Sequence, residues 1–95
     1  MTSEKLIFRV HAIQRMFERR INDEDIRLIL KNGEIIAEYL EDKPFPSRLI
    51  LGYVHDRPLH VLTAKSLEKN ETIVITVYQP DPEKWGSDFK RRRPK

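Results

Sequence analysis

The hydrophobic positions between residues 10 and 20 repeat at helical spacing. On a helix with 3.6 residues per turn, Val10, Ile13, Met16 and Phe17 fall on one side. A stripe of this kind is typical of a helix whose apolar side packs against the core. The sequence therefore predicts a first helix over this segment, with these four side chains buried.

A second helix is predicted after Asn22, a favourable N-cap residue that precedes three acidic residues in the first turn. Ile26, Ile29 and Leu30 then have the i, i+3, i+4 spacing of one apolar helix face. Gly33 follows, and glycine commonly ends helices. We interpret the acidic turn as helix capping and expect the two helices to form a hairpin.

Beyond Gly33, four short apolar stretches are separated by turn residues. They are rich in β-branched and aromatic side chains, which favour strands, and they cover residues 34–40, 48–54, 59–65 and 72–78. Short connections favour antiparallel pairing of successive strands. The order predicts an α+β domain with two N-terminal helices packed on a four-stranded, mainly antiparallel twisted sheet.

The ends of the chain add no further domain to this prediction. Residues 1–9 are interpreted as a lead-in whose apolar side chains lie under the first helix. We expect residues 1–95 to form one domain, because this length suffices for a single core. The residues from about 86 to 95 form a basic tail.

Charge is distributed unevenly along the chain. Eighteen Lys and Arg against fifteen Asp and Glu leave a net charge of only +3. Residues 22–25 and 38–42 are acidic, whereas the tail from Lys90 to Lys95 is strongly basic. This asymmetry favours a polyanion or an acidic protein as the partner.

The composition also narrows the kinds of site that the chain can hold. There is no Cys, which excludes disulfides and thiolate metal sites, and only three His. We therefore predict no metal and no cofactor. No stretch resembles a signal peptide or could span a bilayer, so we expect a cytoplasmic protein with no membrane association.

Candidate chemistry lies on the polar side of the first predicted helix. His11, Arg15, Glu18 and Arg19 share that side. Imidazole can transfer protons near neutral pH, and guanidinium groups bind phosphate through two hydrogen bonds. The cluster suits binding and protonation of a phosphate, although the same residues also suit an ordinary solvated helix face with an Arg15–Glu18 ion pair.

The motifs in combination resemble a bacterial family of domains of unknown function. The first helix carries HAIQRMFERRI, similar to a HAxxRMxERxI signature, and the strands carry GEIIAEYL, PFPSRLILG, PLHVLTAK and ITVYQPDPEKW. The resemblance extends from about residue 8 to residue 93. This family is in turn similar, distantly, to the RelE/ParE superfamily of toxins, and in organisation to the BrnT type.

The resemblance implies a RelE/BrnT-like fold and a toxin of a type II toxin–antitoxin pair. Such a toxin would be an endoribonuclease that cuts mRNA, with RNA and a cognate antitoxin as partners. Some antitoxins of this kind carry a zinc finger. The implied assembly is a homodimer or a toxin–antitoxin hetero-oligomer.

Cleavage without a metal would use the 2′-OH of the RNA as the nucleophile. The catalytic candidates are His11 and His60 for proton transfer, Arg15 for holding the phosphate, and Tyr78. The RNA-binding candidates are Arg19, Trp85, Arg91, Arg92 and Arg93. Tyr78 and Trp85 also suit stacking on a base, and the three tail arginines suit the phosphate backbone.

Other readings of the same residues stay open. His60, Tyr78 and Trp85 suit core positions, and the arginine run suits a solvated tail. The chain could also be a non-catalytic module that binds nucleic acid or protein, or a ParE-like toxin with a protein target. The product of the neighbouring reading frame, and RNA profiling after induced expression, would discriminate among these functions.

Overall fold

The computed structural model describes residues 5–94 and has α+β architecture. Two helices and five strands follow one another in the order β1 (Lys5–Phe8), α1 (Val10–Arg19), α2 (Asp23–Asn32), β2 (Glu34–Tyr39), β3 (Ser47–Val54), β4 (Arg57–Ser66) and β5 (Glu71–Tyr78). The strands form one sheet in the order β1-β5-β4-β3-β2. The predicted fold class and both helices are confirmed.

The prediction of four strands was wrong by one, because part of the presumed lead-in is strand β1. This strand pairs in parallel with β5, from Lys5 opposite Glu71 to Phe8 opposite Val74. The other three pairings are antiparallel, so the sheet is mixed. Four residues are too few to show a periodic pattern, and the pairing partner lies at the far end of the sequence.

Strands β3 and β4 form a tight hairpin. His55 and Asp56 make its two-residue turn, and both have positive φ angles of 51° and 64°. Two positive φ angles are typical of a type I′ turn, whose twist matches that of the strands. The short turn sets the register that pairs Leu51 with His60.

Helix α2 forms as predicted from local signals. The Asn22 side chain accepts a hydrogen bond from the Asp25 amide at 2.8 Å, and the Asp25 carboxylate accepts one from the Asn22 amide at 3.1 Å. This reciprocal pair satisfies amides that the first turn leaves free. Ile26 and Ile29 are buried, and the helix ends before Gly33.

Helix α1 forms where predicted, and Met16 is buried as expected, but the prediction was wrong for the other three residues of the stripe. Ala12 and Met16 face the core, whereas Val10, Ile13 and Phe17 are 71%, 53% and 86% exposed. The helix begins directly after β1, and its position beside β5 is therefore set by strand pairing. From that position Ala12 and Met16 reach the sheet, and the other apolar side chains of the helix stay exposed.

Both helices pack on one face of the sheet. The core joins Ala12 and Met16 of α1 with Ile26 and Ile29 of α2, and the sheet contributes Ile50, Val54, Leu59, Val61, Val74 and Val77. The side chains between these strand positions point to the opposite face, which we call the outer face. None of the described helices, within residues 5–94, is long and apolar enough to cross a membrane.

The C-terminal segment, residues 79–94, folds back onto the outer face. Trp85 forms a β-bridge with Arg92, and the Arg93 amide donates to the Lys84 carbonyl at 2.8 Å. Lys90 makes an ion pair with Glu34 of β2 at 3.0 Å, so the segment reaches across to the opposite edge strand. Residues 90–93 of the basic tail are therefore part of a folded segment, which Lys90 ties to the sheet.

Candidate functional site

The outer face brings His60 and Tyr78 together, although 18 positions separate them in the sequence. His60 on β4 lies directly opposite Tyr78 on β5. The imidazole Nε2 is 2.7 Å from the Phe89 carbonyl oxygen, and Nδ1 is 3.1 Å from the Tyr78 hydroxyl. Since a carbonyl only accepts, Nε2 carries the hydrogen, and Nδ1 therefore accepts the proton of the Tyr78 hydroxyl.

The C-terminal segment encloses this pair. Trp85 is 8% exposed and meets His60 edge-on, with ring centroids 4.4 Å apart at 90°. The Arg92 guanidinium carbon lies 5.5 Å from the Trp85 ring centroid, within the range of a cation–π contact. A base could stack on Trp85 only if Arg92 left that ring.

The environment keeps both hydrogen-bonded groups neutral near pH 7. Burial lowers the pKa of His60, against a smaller opposite effect of its hydrogen bond to the Phe89 carbonyl. Burial also raises the pKa of Tyr78, and nearby Tyr39 adds to this increase, whereas the charge of Arg92 lowers it. The result is a protonated phenol on a neutral imidazole, with the guanidinium of Arg92 close enough to act on the phenol.

The lowered pKa of His60 predicts how stability depends on pH. In the unfolded chain this imidazole takes up a proton near its ordinary pKa of 6.5, whereas the folded protein resists protonation to a lower pH. The free energy of unfolding should therefore fall as the pH drops below 6.5 towards the folded-state pKa. Urea unfolding between pH 7 and 5.5 measures this slope. The variant His60→Gln should flatten it, and a slope that is unchanged in that variant would contradict the assignment.

The predicted cluster on α1 does not join this group. Arg15 makes an ion pair with Glu18 at 3.3 Å, and both side chains are largely exposed. Arg19 is also exposed, and its carbonyl accepts a hydrogen bond of 2.6 Å from Arg57. The alternative prediction of a surface ion pair thus describes the geometry of Arg15.

His11 lies apart from His60, beside another cavity of the outer face. That cavity is lined by Arg9, His11, Asp42, Lys43, Pro44, Phe45, Ala64, Ile73 and Ile75. The two histidines predicted for proton transfer thus have different neighbours: His60 contacts Tyr78 and Trp85, whereas His11 lines this cavity.

The tail arginines have different surroundings. Arg92 packs over Trp85, and Arg93 donates from Nε to the Pro82 carbonyl at 2.8 Å. Arg91 is exposed. Of the three, Arg92 is the one whose charge lowers the pKa of Tyr78.

Sequence reasoning missed several residues of the outer face. Tyr39 ends β2 and acts on Tyr78, while Arg9 and Lys43 line the cavity beside His11. Only the sheet order could have indicated Tyr39 and Lys43, because each lies far along the chain from the residue it approaches, whereas Arg9 lies two positions before His11. Within residues 5–94, no three His, Asp or Glu side chains are grouped closely enough to hold a metal ion.

Comparison with known proteins gives one match. The model of a family described as a domain of unknown function (DUF4258) matches residues 8–79, which is most of the chain. Searches of curated proteins and of solved structures found no significant match.

Proposed function

The chain belongs to the DUF4258 family of domains of unknown function, and from this premise we propose that it is an RNA-cutting toxin. In this proposal it is a RelE/BrnT-like member of a type II toxin–antitoxin pair that cleaves mRNA without a metal. The RNA lies on the outer face of the sheet. The C-terminal segment and the loop between β2 and β3 border it.

The observation that carries the proposal is the Tyr78 hydroxyl bound to a buried, neutral His60 beside Arg92. A hydroxyl that is kept protonated can donate to a phosphate oxygen or relay a proton, while a guanidinium stabilises negative charge on phosphorus. Tyr78 is half-buried, and the proposed reaction requires that substrate reaches its hydroxyl oxygen. The hydroxyl, the imidazole and the guanidinium together could supply the proton transfer and the charge stabilisation that cleavage of a phosphodiester requires.

The reaction proposed is transesterification. The 2′ oxygen attacks the adjacent phosphorus, the bond from phosphorus to the 5′ oxygen breaks, and a 2′,3′-cyclic phosphate forms. The 2′ proton passes to the Tyr78 oxygen while Tyr78 passes its own proton to Nδ1 of His60. The same path then returns one proton to the leaving 5′ oxygen, so the net transfer is from O2′ to O5′.

Burial opposes a charged His60, and this relay therefore needs a compensating charge. The phosphorane formed beside Tyr78 carries added negative charge, which favours an imidazolium nearby. The charge of Arg92 stabilises the phosphorane itself. His60 also holds the Tyr78 hydroxyl in one orientation, so the hydroxyl does not have to reorient when RNA binds.

The test of this function is incubation of the purified chain with RNA in the presence of EDTA. We expect cleavage to continue and the products to end in 2′,3′-cyclic phosphate. Cleavage that stops on chelation, or products with a 3′-hydroxyl, would contradict the proposed chemistry. RNA in which every 2′-OH is methylated is the matched control and should stay intact.

The exposed apolar stripe of α1 (Val10, Ile13 and Phe17) supports a protein partner. Side chains this apolar and this exposed commonly mark an interaction surface. Arg9 precedes the stripe and Arg20 follows it, which favours a partner segment with acidic residues. We propose that the cognate antitoxin covers this stripe with an acidic amphipathic segment.

A serine at position 17 should weaken that complex. Phe17→Ser removes the most exposed ring of the stripe, and we expect at least tenfold weaker binding of the protein encoded by the neighbouring reading frame. Leu67→Ser is the matched control, since Leu67 is equally apolar and exposed but lies in the turn before β5. Isothermal titration of both variants measures the difference. Equal affinities would place the antitoxin elsewhere.

One feature favours a second function, that of a non-catalytic RNA-binding module. Both nitrogens of His60 are already satisfied within the fold, as they would be in a purely structural histidine. This function predicts RNA binding that weakens with salt and no cleavage products. The incubation with RNA and EDTA distinguishes the two.

A further inference from the structure

The cavity beside His11 has the form of a binding site in its own right. Its volume is about 380 Å³, within the range of small-molecule sites. One wall is the start of α1, and the other is the loop between β2 and β3. The floor is the part of the outer face formed by Ala64, Ile73 and Ile75.

The rim of the cavity carries basic groups without partners. Within residues 5–94, the side chains of Arg9, His11 and Lys43 make no hydrogen bond and no ion pair. The one acidic lining residue, Asp42, accepts a hydrogen bond from the hydroxyl of the fully buried Ser47. The carboxylate thus holds the loop to β3, and the rim keeps an excess of positive charge.

The interior differs from the rim. Ala64, Ile73 and Ile75 give a flat apolar floor, and the half-buried ring of Phe45 stands in the loop wall. A planar, weakly polar ring is the shape that such a floor and wall accommodate. An anionic group attached to that ring would meet the basic rim.

We propose that this cavity binds one nucleotide, with its base between Phe45 and the apolar floor and its phosphate against Arg9, His11 and Lys43. The assignment rests on the proposed function, because it supplies a second subsite for the same RNA. Ala64 lies four positions along β4 from His60, a distance of ~13 Å that a few nucleotides can span. Bases held in this cavity would set which phosphodiester reaches Tyr78.

The experiment is titration of the full ¹⁵N-labelled chain with a nucleoside monophosphate, followed by NMR. The amides of Phe45, Ala64 and Ile75 should shift together. Uridine without phosphate and inorganic phosphate without a base form two further arms, and each should bind at least tenfold more weakly than the monophosphate. Equal binding of inorganic phosphate would reduce the cavity to a simple anion site and overturn the proposal.

Variants that each remove one positive charge test the contribution of the rim. Arg9→Gln and Lys43→Gln should each weaken the monophosphate about tenfold, the effect of losing one charged hydrogen bond. Lys69→Gln, in the turn before β5, removes the same charge elsewhere and should change the affinity less than twofold. Unchanged affinity in both rim variants would overturn the subsite.

Tyr78→Phe separates this proposal from the function on which it rests. It should leave binding of the monophosphate unchanged, since Tyr78 does not line the cavity. A chain that binds the nucleotide here but cuts no RNA would support the subsite and contradict the nuclease. A chain that cuts RNA but shows no shifts at the cavity would support the nuclease and contradict the subsite.

Discussion

Replacing Tyr78 by phenylalanine is expected to slow RNA cleavage by about 10²–10⁴-fold, the usual contribution of a group that transfers a proton in the transition state. The change removes the one hydroxyl that contacts Nδ1 of His60 and keeps the ring that packs beside it. The loss should appear in the rate of the chemical step, while the affinity for RNA changes less than twofold. Single-turnover kinetics with excess protein measures the two separately.

The Tyr78→Phe variant should also be less stable. It leaves Nδ1 of buried His60 without a donor, which should lower the free energy of unfolding by about 1–3 kcal/mol without unfolding the chain. Tyr53→Phe is the matched control, because Tyr53 is an exposed tyrosine at the end of β3. A Tyr78→Phe chain that cleaves RNA at the original rate would remove the hydroxyl from the mechanism.

Replacing Trp85 by alanine should have the largest effect on stability. The indole is almost fully buried between His60 and Arg92, and large-to-small changes of this kind cost about 3–5 kcal/mol. A domain of this size is commonly stable by only ~5–15 kcal/mol, so a substantial part of the total would be lost. Urea unfolding followed by circular dichroism gives the difference.

The same substitution should also change the environment of His60. Without the indole, water reaches the imidazole, and the pKa of His60 should rise back towards its ordinary value. NMR titration of the imidazole tests this, and Trp85→Phe should give an intermediate result. A loss of less than about 1 kcal/mol for Trp85→Ala would show that the C-terminal segment adds little to the fold.

Local signals were sufficient for helix α2 and for the hairpin of β3 and β4. Asn22 and Gly33 define the ends of α2 because capping depends on residues within one turn. The apolar stretches 48–54 and 59–65 indicated this hairpin, although the turn is shorter than expected because β4 already begins at Arg57. These features could be predicted since each depends on neighbours in the sequence.

The position of α1 could not be predicted in the same way. Met16 belongs to the predicted stripe with Val10, Ile13 and Phe17, and it also lies on the side of Ala12, which is the side that is buried. The choice between these two sides depends on strand β1, which pairs with a strand at the other end of the chain. A helical pattern contains no information about that pairing.

The candidate site was predicted as a set of residues but not as a geometry. His60, Tyr78, Trp85 and Arg92 do meet, because β4 and β5 pair in register and the C-terminal segment folds over them. His11 and Arg15 were expected to act together on one phosphate. Instead, Arg15 pairs with Glu18 at the surface, and His11 lies beside the cavity of the outer face.

The central claim is that RNA binds on the outer face of the sheet, and an NMR footprint tests it most directly. A short RNA with all 2′-hydroxyl groups methylated cannot be cut by the proposed chemistry and can be titrated into the ¹⁵N-labelled chain. We predict that the amides of Tyr39, Tyr78 and Arg92 shift. Shifts confined to the helix side, at Arg27 and Lys31 of α2, would contradict the claim.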